Sequence, residues 1–336
     1  MPNPVQVEVV LSNSESLPVV DVWLVIDVLR ASTVIVNWFA AGGGELYPTD
    51  SVASARLLAE RLTQEGKVEK APILMGEQDA VAPPGFDLGN SPLEITETLV
   101  QETPCAVMAT TNGTVAMLKA ASTGVPVLIA CARNALAALS LALSKGRRIG
   151  ILCSGRKGRP AWDDTLCAGL LISHLVERFS DIHLSDSARL ALLTWRNSAD
   201  FKASLRSAEH AIFLEKIGFG DDITFAGEIN AERVVPELCE YPDGDDMRAV
   251  LKPAKLDEQT LLTDRTESEI LPTHTAKSEP LSLGVERHDG YPVVALVTRQ
   301  NEELSRHLLS IGVKNAFFTG AKYKPRKTKT ARYDRH

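Results

Sequence analysis

The sequence predicts an α/β protein built on a mainly parallel sheet with flanking helices, and three observations carry that expectation. Short apolar, β-branched runs recur along the first 240 residues, as in Val22-Trp23-Leu24-Val25-Ile26. Each is followed by a polar loop and a helix-length segment, the alternation expected of βαβ units. The polar clusters that look chemically able fall where those runs end, which is where open parallel sheets bind ligands.

The elements follow in order. Val22 to Ile26 has the composition of a strand buried on both faces, and it ends at Asp27. Ser32 to Ala41 predicts a helix stopped by Gly42-Gly43-Gly44, and Glu45 to Pro48 a second short strand. Ser51 to Gln64 predicts a helix closed by Gly66. Cys105 to Ala109 reads as a strand, followed by Thr110-Thr111-Asn112-Gly113-Thr114 and a helix through Ala121. Val125 to Ala130 repeats the pattern, with Arg133-Asn134 opening a helix to about Ser144. Arg148 to Cys153 repeats it again, before a Gly- and Arg-rich loop and a helix from Asp164 to Phe179.

Beyond residue 240 the character changes. Residues 241–290 are rich in Asp, Glu, Thr, Pro and Ser, and read as a linker, partly disordered. Residues 291–320 suggest a small βαβ-like extension: a strand from Tyr291 to Val297, a helix from Asn301 to Ile311, and a strand from Ala316 to Phe318. The tail, residues 321–336, carries seven Lys or Arg against one Asp; it reads as a solvated end, with an acidic partner or RNA as the other reading.

Composition bounds the function. A hydrophobic content of 44% with 24% charged residues suits an ordinary globular protein with a sizeable core. The net charge of −7 argues against a nucleic-acid binder, which needs cationic surface to displace phosphate counterions. The five cysteines form no Cys-x-x-Cys pair and sit mostly in apolar runs, so they read as small buried hydrophobes rather than zinc ligands. The opening Met1-Pro2-Asn3-Pro4 lacks a signal-peptide pattern, and no apolar run approaches the about 20 residues that span a bilayer. A cytoplasmic location and no membrane partner are the expectation. The apolar fraction is compatible with a homodimer.

Four clusters could carry chemistry. Asp27-Val28-Leu29-Arg30-Ala31-Ser32-Thr33 sets a carboxylate, a guanidinium and two hydroxyls at a strand-to-helix junction. Asp27 is either a cap or partner for Arg30, or else a hard-cation ligand or general acid/base. Ser32 and Thr33 lie at a helix start, whose free N–H groups favour an anion. Gly85-Phe86-Asp87-Leu88-Gly89-Asn90-Ser91-Pro92 offers Asp87 and Asn90 as oxygen ligands on a tight loop, or an Asx turn leading into a helix. Glu77 is a further ligand or a partner for a loop arginine.

Thr110, Thr111, Asn112, Gly113 and Thr114 stand at another helix start, where capping accounts for one hydroxyl and a bound phosphate for the set. Ser154-Gly155-Arg156-Lys157-Gly158-Arg159 precedes Asp163-Asp164 and departs from the G-x-x-x-x-G-K-[ST] pattern, which disfavours ATP binding by that route. Its cations, with Arg133, could clamp a small anionic substrate, and its acids could cap a helix or hold a divalent cation. The histidines, His174, His183 and His210 among them, show no metal-ligand spacing.

These four motifs, in this order, resemble the magnesium-dependent 2-phosphosulfolactate phosphatases of the ComB family over roughly residues 5–240, with Gly218, Asp222-Ile223 and Pro236 resembling its closing segment. The resemblance implies Mg²⁺-dependent hydrolysis of (R)-2-phospho-3-sulfolactate on the family's α/β fold. It implies Asp27, Arg30, Asp87 and Asn112 as catalytic. Mg²⁺ would sit on some of Asp27, Asp87, Asp163 and Asp164. Ser32, Thr33, Asn90, Thr110, Thr111, Gly113, Thr114, Arg133, Arg156, Lys157 and Arg159 would bind the phosphorylated substrate. Two positions depart from the pattern: Gln78 stands where the family has Arg, and Asp163 where it has Glu. Two other readings remain: a phosphatase of a different small acidic ester, and a non-catalytic anion-binding regulator.

Overall fold

A computed structural model describes residues 4–198, 200–243, 246–256, 283–288 and 291–296. Strand β1 (Val5–Val10), which the sequence reading did not anticipate, precedes β2 (Val22–Ile26), every residue of which is buried. Helix α1 (Ala31–Ala40) follows, then β3 (Glu45–Thr49) and α2 (Val52–Gln64), which Ser51 caps by accepting the Ser54 N–H at 3.1 Å. Next come β4 (Ile73–Gly76), α3 (Glu97–Glu102), β5 (Cys105–Ala109) and α4 (Gly113–Ala121). The chain continues through β6 (Val127–Ile129), α5 (Ala135–Lys145), β7 (Arg148–Cys153), α6 (Trp162–Arg178) and β8 (Ile182–Leu184). Four short helices then follow in succession: α7 (Asp186–Arg196), α8 (Phe201–Arg206), α9 (Glu209–Lys216) and α10 (Gly220–Ala226).

The main sheet does not stop at residue 240. Strands β9 (Pro236–Asp243) and β10 (Asp246–Pro253) form an antiparallel hairpin inside it, where acidic composition had suggested the start of a linker. The polar composition of this stretch hid the apolar positions Leu238 and Leu251 on one face and Val250 on the other, which pack into the sheet's cores. A second compact unit spans residues 265–336, and its described part is a separate hairpin of β11 (Leu283–His288) and β12 (Tyr291–Leu296). Strand β12 lies where a strand was expected, and β11 falls within the expected linker. The expected helix at Asn301–Ile311, the strand at Ala316–Phe318 and the basic tail lie outside the described residues.

The ten strands run in the order β4-β5-β3-β10-β9-β6-β2-β7-β1-β8. Two parallel blocks, β4-β5-β3 and β6-β2-β7-β1-β8, flank the hairpin, which pairs antiparallel with both. Three antiparallel junctions in succession reverse the sense of one block relative to the other. In a flat sheet their carboxyl ends would therefore face apart. The sheet instead wraps around one apolar core, in which Trp23, Val25, Leu46, Met108, Ile129, Leu238 and Leu251 from both blocks meet side chains of α1 and α4. Burying such side chains contributes about 1.5–3 kcal/mol each, enough to hold the blocks together. The opposite face of the larger block packs on α5 to α10, and that of the smaller block on α2.

Two glycines permit close approaches near the strand ends, one within the β4-β5 pair and one between α4 and the end of β2. A Cβ on Gly76, whose φ is +143°, would lie 1.9 Å from the Ala109 carbonyl oxygen. A Cβ on Gly113 would lie 2.6 Å from the Ala31 Cβ and 2.7 Å from Asp27 Oδ2, so the start of α4 abuts Asp27 only because no side chain intervenes. No described helix is long and apolar enough to cross a membrane.

Because β10 joins the two blocks, a chain ending at residue 264 is expected to unfold in one cooperative transition, as the first compact unit predicts. A chain ending at residue 243 is expected to lose that transition. Thermal melts followed by circular dichroism check both.

Candidate active site

A small pocket opens where the strand ends converge, lined by Asp27, Leu29, Arg30, Glu77, Ala80, Asn90, Asn112 and His210. Asp27 follows the last residue of β2. Its loop is braced from within: Ser32 Oγ donates to the Asp27 carbonyl at 2.8 Å and accepts the Asp27 N–H at 3.1 Å. Thr33 Oγ1 donates to the Val28 carbonyl at 2.8 Å. Ser32 and Thr33, expected as phosphate ligands, thus use their hydroxyls to hold Asp27 and Val28.

Asp27 Oδ1 accepts the Ala31 N–H at 3.2 Å. Burial pushes the Asp27 carboxyl up to about 7, and the charge of nearby Asp163 adds to the shift. Burial likewise raises Asp163 to about 6, against the lowering pull of the backbone amides of Asp163 and Asp164 and of the Arg156 charge. Asp164 is pushed well above the usual carboxylate range by burial and by the charges of Asp163 and Asp27. Both Asp164 oxygens are engaged, accepting the Val28 and Gly155 N–H groups at 2.9 Å each. Asp164 therefore ties the ends of β2 and β7 together.

The second motif divides. Asn90 lines the pocket, is 4% exposed, and its Oδ1 has no hydrogen-bond partner in the described structure. Asp87 is set apart: it is exposed, and its Oδ2 accepts the Leu74 N–H of β4 at 2.8 Å. Glu77 follows the end of β4 and orders the loop around it. Its Oε1 accepts the Thr111 N–H at 2.8 Å and the Thr111 hydroxyl, and its Oε2 accepts the Ala80 N–H at 2.8 Å.

The third motif also turns inward on itself. Thr110 Oγ1 accepts the Thr114 N–H at 3.0 Å, and Thr114 Oγ1 accepts the Thr110 N–H at 3.1 Å, a reciprocal clasp at the start of α4. Gly113 provides the close contact with Asp27, and Asn112 stands at the α4 cap with its side chain free of a capping bond, facing the pocket.

The arginines separate in the same way. Arg30 is 2% exposed, and its Nη1 donates to Asp222 Oδ2 at 2.7 Å while Nη2 donates to the Ala80 carbonyl at 2.7 Å. Arg133 is turned away from the pocket: it stacks 3.7 Å from the Phe225 ring centroid and pairs with Glu228 and, at 2.9 Å, with Glu232. Arg156 is half-buried with its guanidinium 5.5 Å from the Phe213 ring centroid, near enough to Asp163 and His210 to shift both. Lys157 and Arg159 are exposed on the turn beyond it.

Sequence reasoning passed over His210, Ser91, Phe219 and the contact made by Asp222. His210 reaches the pocket from the first turn of α9, so no local spacing could announce it. Its ring is lowered to about 4 by burial and then by the Arg156 and Arg30 charges, and is neutral near pH 7. Gln78, which the resemblance singled out, is exposed on a turn and does not line the pocket. Among the described residues, no three His, Cys, Asp or Glu side chains form a preformed metal cage.

A profile described as 2-phosphosulpholactate phosphatase matches residues 10–241, the stretch that carries every wall of this pocket. The chain belongs to that family. Relatives named "Probable 2-phosphosulfolactate phosphatase" include one from Deinococcus radiodurans, 36% identical over 230 residues, covering 68% of this chain and 91% of that protein. Another from Thermus thermophilus is 36% identical over 225 residues, covering 67% and 90%. One from Pseudothermotoga lettingae is 34% identical over 221 residues, covering 65% and 90%. Family membership makes the chain a phosphoric monoester hydrolase. The profile match ends at residue 241, within β9 and short of the second unit.

The neutral His210 gives a direct check. In the folded protein its ring is expected to titrate near 4 by NMR, against about 6.5 for a free histidine. The unfolded chain takes up that proton first, so this group removes stability as pH falls from about 6.5 toward 4. His210→Gln is expected to lessen that acid loss, and a ring titrating near 6.5 would refute the assignment.

Proposed function

We propose that this chain hydrolyses the phosphate ester of 2-phospho-3-sulfolactate, using water to give sulfolactate and inorganic phosphate. The observation that carries the reading is the presence of a buried carboxylate, Asp27, and a buried guanidinium, Arg30, on the walls of one pocket within the family match. A phosphoryl group in transfer spreads negative charge over its oxygens, and a preorganised guanidinium in a partly dry site stabilises it.

In this reading Arg30 and Arg156 attract the anionic ester, and Asn112 donates its amide to a substrate oxygen from the α4 start. The exposed Lys157 and Arg159 supply attraction at the rim. Burial raises the Asp27 carboxyl to about 7 when no cation is beside it, so its negative charge calls for a cation or a cationic transition-state partner in the pocket. His210, uncharged, leaves the electrostatics of the pocket to the arginines.

A magnesium ion fits these residues. It commonly takes only one or two protein carboxylates, completing its shell with water and substrate phosphate, so a three-acid cage is not required. Asp27 and Asp163 would supply the carboxylates, and the unpartnered Asn90 Oδ1 a neutral oxygen. When bound, the ion would neutralise phosphoryl charge. Asp164 and Asp87 are committed to backbone amides and are not needed in this set.

The test is phosphate release from phosphosulfolactate against other 2-phospho acids, with and without Mg²⁺. Phosphosulfolactate is expected to be preferred, and preference for a non-sulfonated ester would assign a different substrate. Asp27→Asn is expected to cut turnover by about a thousandfold or more without lowering the melting temperature; unchanged turnover refutes the role of Asp27. Mg²⁺ alone is expected to raise the melting temperature more at pH 8 than at pH 5, because the raised carboxyls still hold protons at the lower pH and compete with the ion.

A further inference from the structure

We propose that Asp222 is the positioning residue of this site: one carboxylate fixes Arg30 and the Asn90 loop relative to each other. Its Oδ2 accepts Arg30 Nη1 at 2.7 Å, and its Oδ1 accepts Ser91 Oγ at 2.6 Å. Ser91 is the residue after Asn90, and Ser91 also accepts the Leu93 N–H at 3.3 Å, fixing the turn over Pro92–Glu94. Arg30 and Asn90 both line the pocket, yet they stand on separate loops 60 positions apart in the chain. Asp222, from α10, is the bridge between them.

The pair is costly as a source of stability. Both Arg30 and Asp222 are 2% exposed, and desolvating two charges offsets most of their attraction. What such a pair provides instead is geometry. The guanidinium is held on one edge by Asp222, on the other by the Ala80 carbonyl, and on its face by the Phe219 ring at 4.3 Å, three residues before Asp222. With two edges and one face fixed, the remaining donors of Arg30 have a single orientation.

The same segment repeats the device. Phe213, Phe219 and Phe225, spaced six residues apart, carry Arg156, Arg30 and Arg133 respectively. Among these three arginines Arg30 alone combines a ring, a fully buried carboxylate and a place on the pocket wall. The stretch from α9 to α10 therefore holds three arginines by their faces, and Asp222 fixes the one that lines the pocket.

This inference rests on the reading above, in which Arg30 contacts the phosphoryl group. The experiment is a double-mutant cycle in the full chain, measured as kcat/KM on phosphosulfolactate and independently as Kd for inorganic phosphate by calorimetry. Asp222→Asn removes the charge and leaves one acceptor oxygen, which cannot take both Ser91 Oγ and Arg30 Nη1, so it is expected to lose about 10- to 100-fold in both quantities. In an Arg30→Met background the same substitution is expected to cost less than about twofold, because there is no guanidinium left to aim. A purely structural Asp222 would lower kcat/KM by the same factor in both backgrounds, and that additivity would overturn the proposal. Circular dichroism checks folding. Should Asp222→Asn unfold the chain, Ser91→Ala keeps both charges and is expected to lose about three- to tenfold, again only when Arg30 is present. Absence of phosphate release by the wild-type chain would sink the hydrolase reading, while the cycle in phosphate affinity would still decide the role of Asp222.

Discussion

Asp27, Asp163 and Asp164 are buried against one another, and much of the surrounding structure answers the cost of that arrangement. Each carboxyl is driven upward by burial, and the mutual charges of the cluster add to the shift for Asp27 and Asp164. Such a group stays charged in low dielectric only with donors around it. The chain supplies backbone donors where the acid has a mechanical task, at Asp164, and leaves Asp27 with a single one, from Ala31. The unequal distribution separates a brace from an acid left open to the pocket. Asp27 alone of the three lines the pocket, so the acid with little backbone compensation is the one that opens onto the cavity.

That cluster meets the arginine and asparagine walls because both blocks pack on one core in spite of the sheet's reversal. The β9-β10 hairpin turns one parallel block against the other, and the wrapping of both around the Trp23–Met108 core brings the end of β2 beside the ends of β4 and β5. Gly113 marks the closest point of that approach. A methyl group there would occupy the space of Asp27 Oδ2, so backbone chemistry at position 113 and side-chain chemistry at position 27 are one constraint. The fold thus places a carboxylate from the larger block and an amide from the smaller block on one pocket wall.

Much of the scaffold was legible in the sequence because burial on both faces leaves a plain signature. Val22–Ile26, Cys105–Ala109 and, after its leading arginine, Arg148–Cys153 are apolar and form strands over those bounds. Strand β1 alternates with polar Gln6 and Glu8, and β4 is only four residues long, so neither announced itself. The hairpin was hidden by acidic and proline residues at its margins. The clusters around the site were legible as clusters, but their internal division was not. Hydroxyls at Thr110 and Thr114 serve each other, Ser32 serves Asp27, and Asp87 serves Leu74, because each local backbone donor near a strand end demands a partner before any ligand does. His210 and Asp222 enter from helices far downstream of Arg30 and Asn90, and only tertiary structure shows them beside those residues.

The exposed position of Gln78 bears on the departure that the resemblance implied there. An arginine there would stand at the rim, outside the pocket lining, and a rim charge acts mainly on the rate at which a charged ligand arrives. The chain retains other exposed cations, Lys157 and Arg159, on the turn that follows β7. Contacts that distinguish one bound acid from another depend on buried groups whose polar atoms are left unpaired by the wrong ligand. Arg30, Asn90 and Asn112 line the pocket and suit that task, and Gln78 does not. On the proposed reading, the choice of ester therefore belongs to the walls that Asp222 aligns, while the substitution at residue 78 bears on how fast a multiply charged anion reaches a protein of net charge −7.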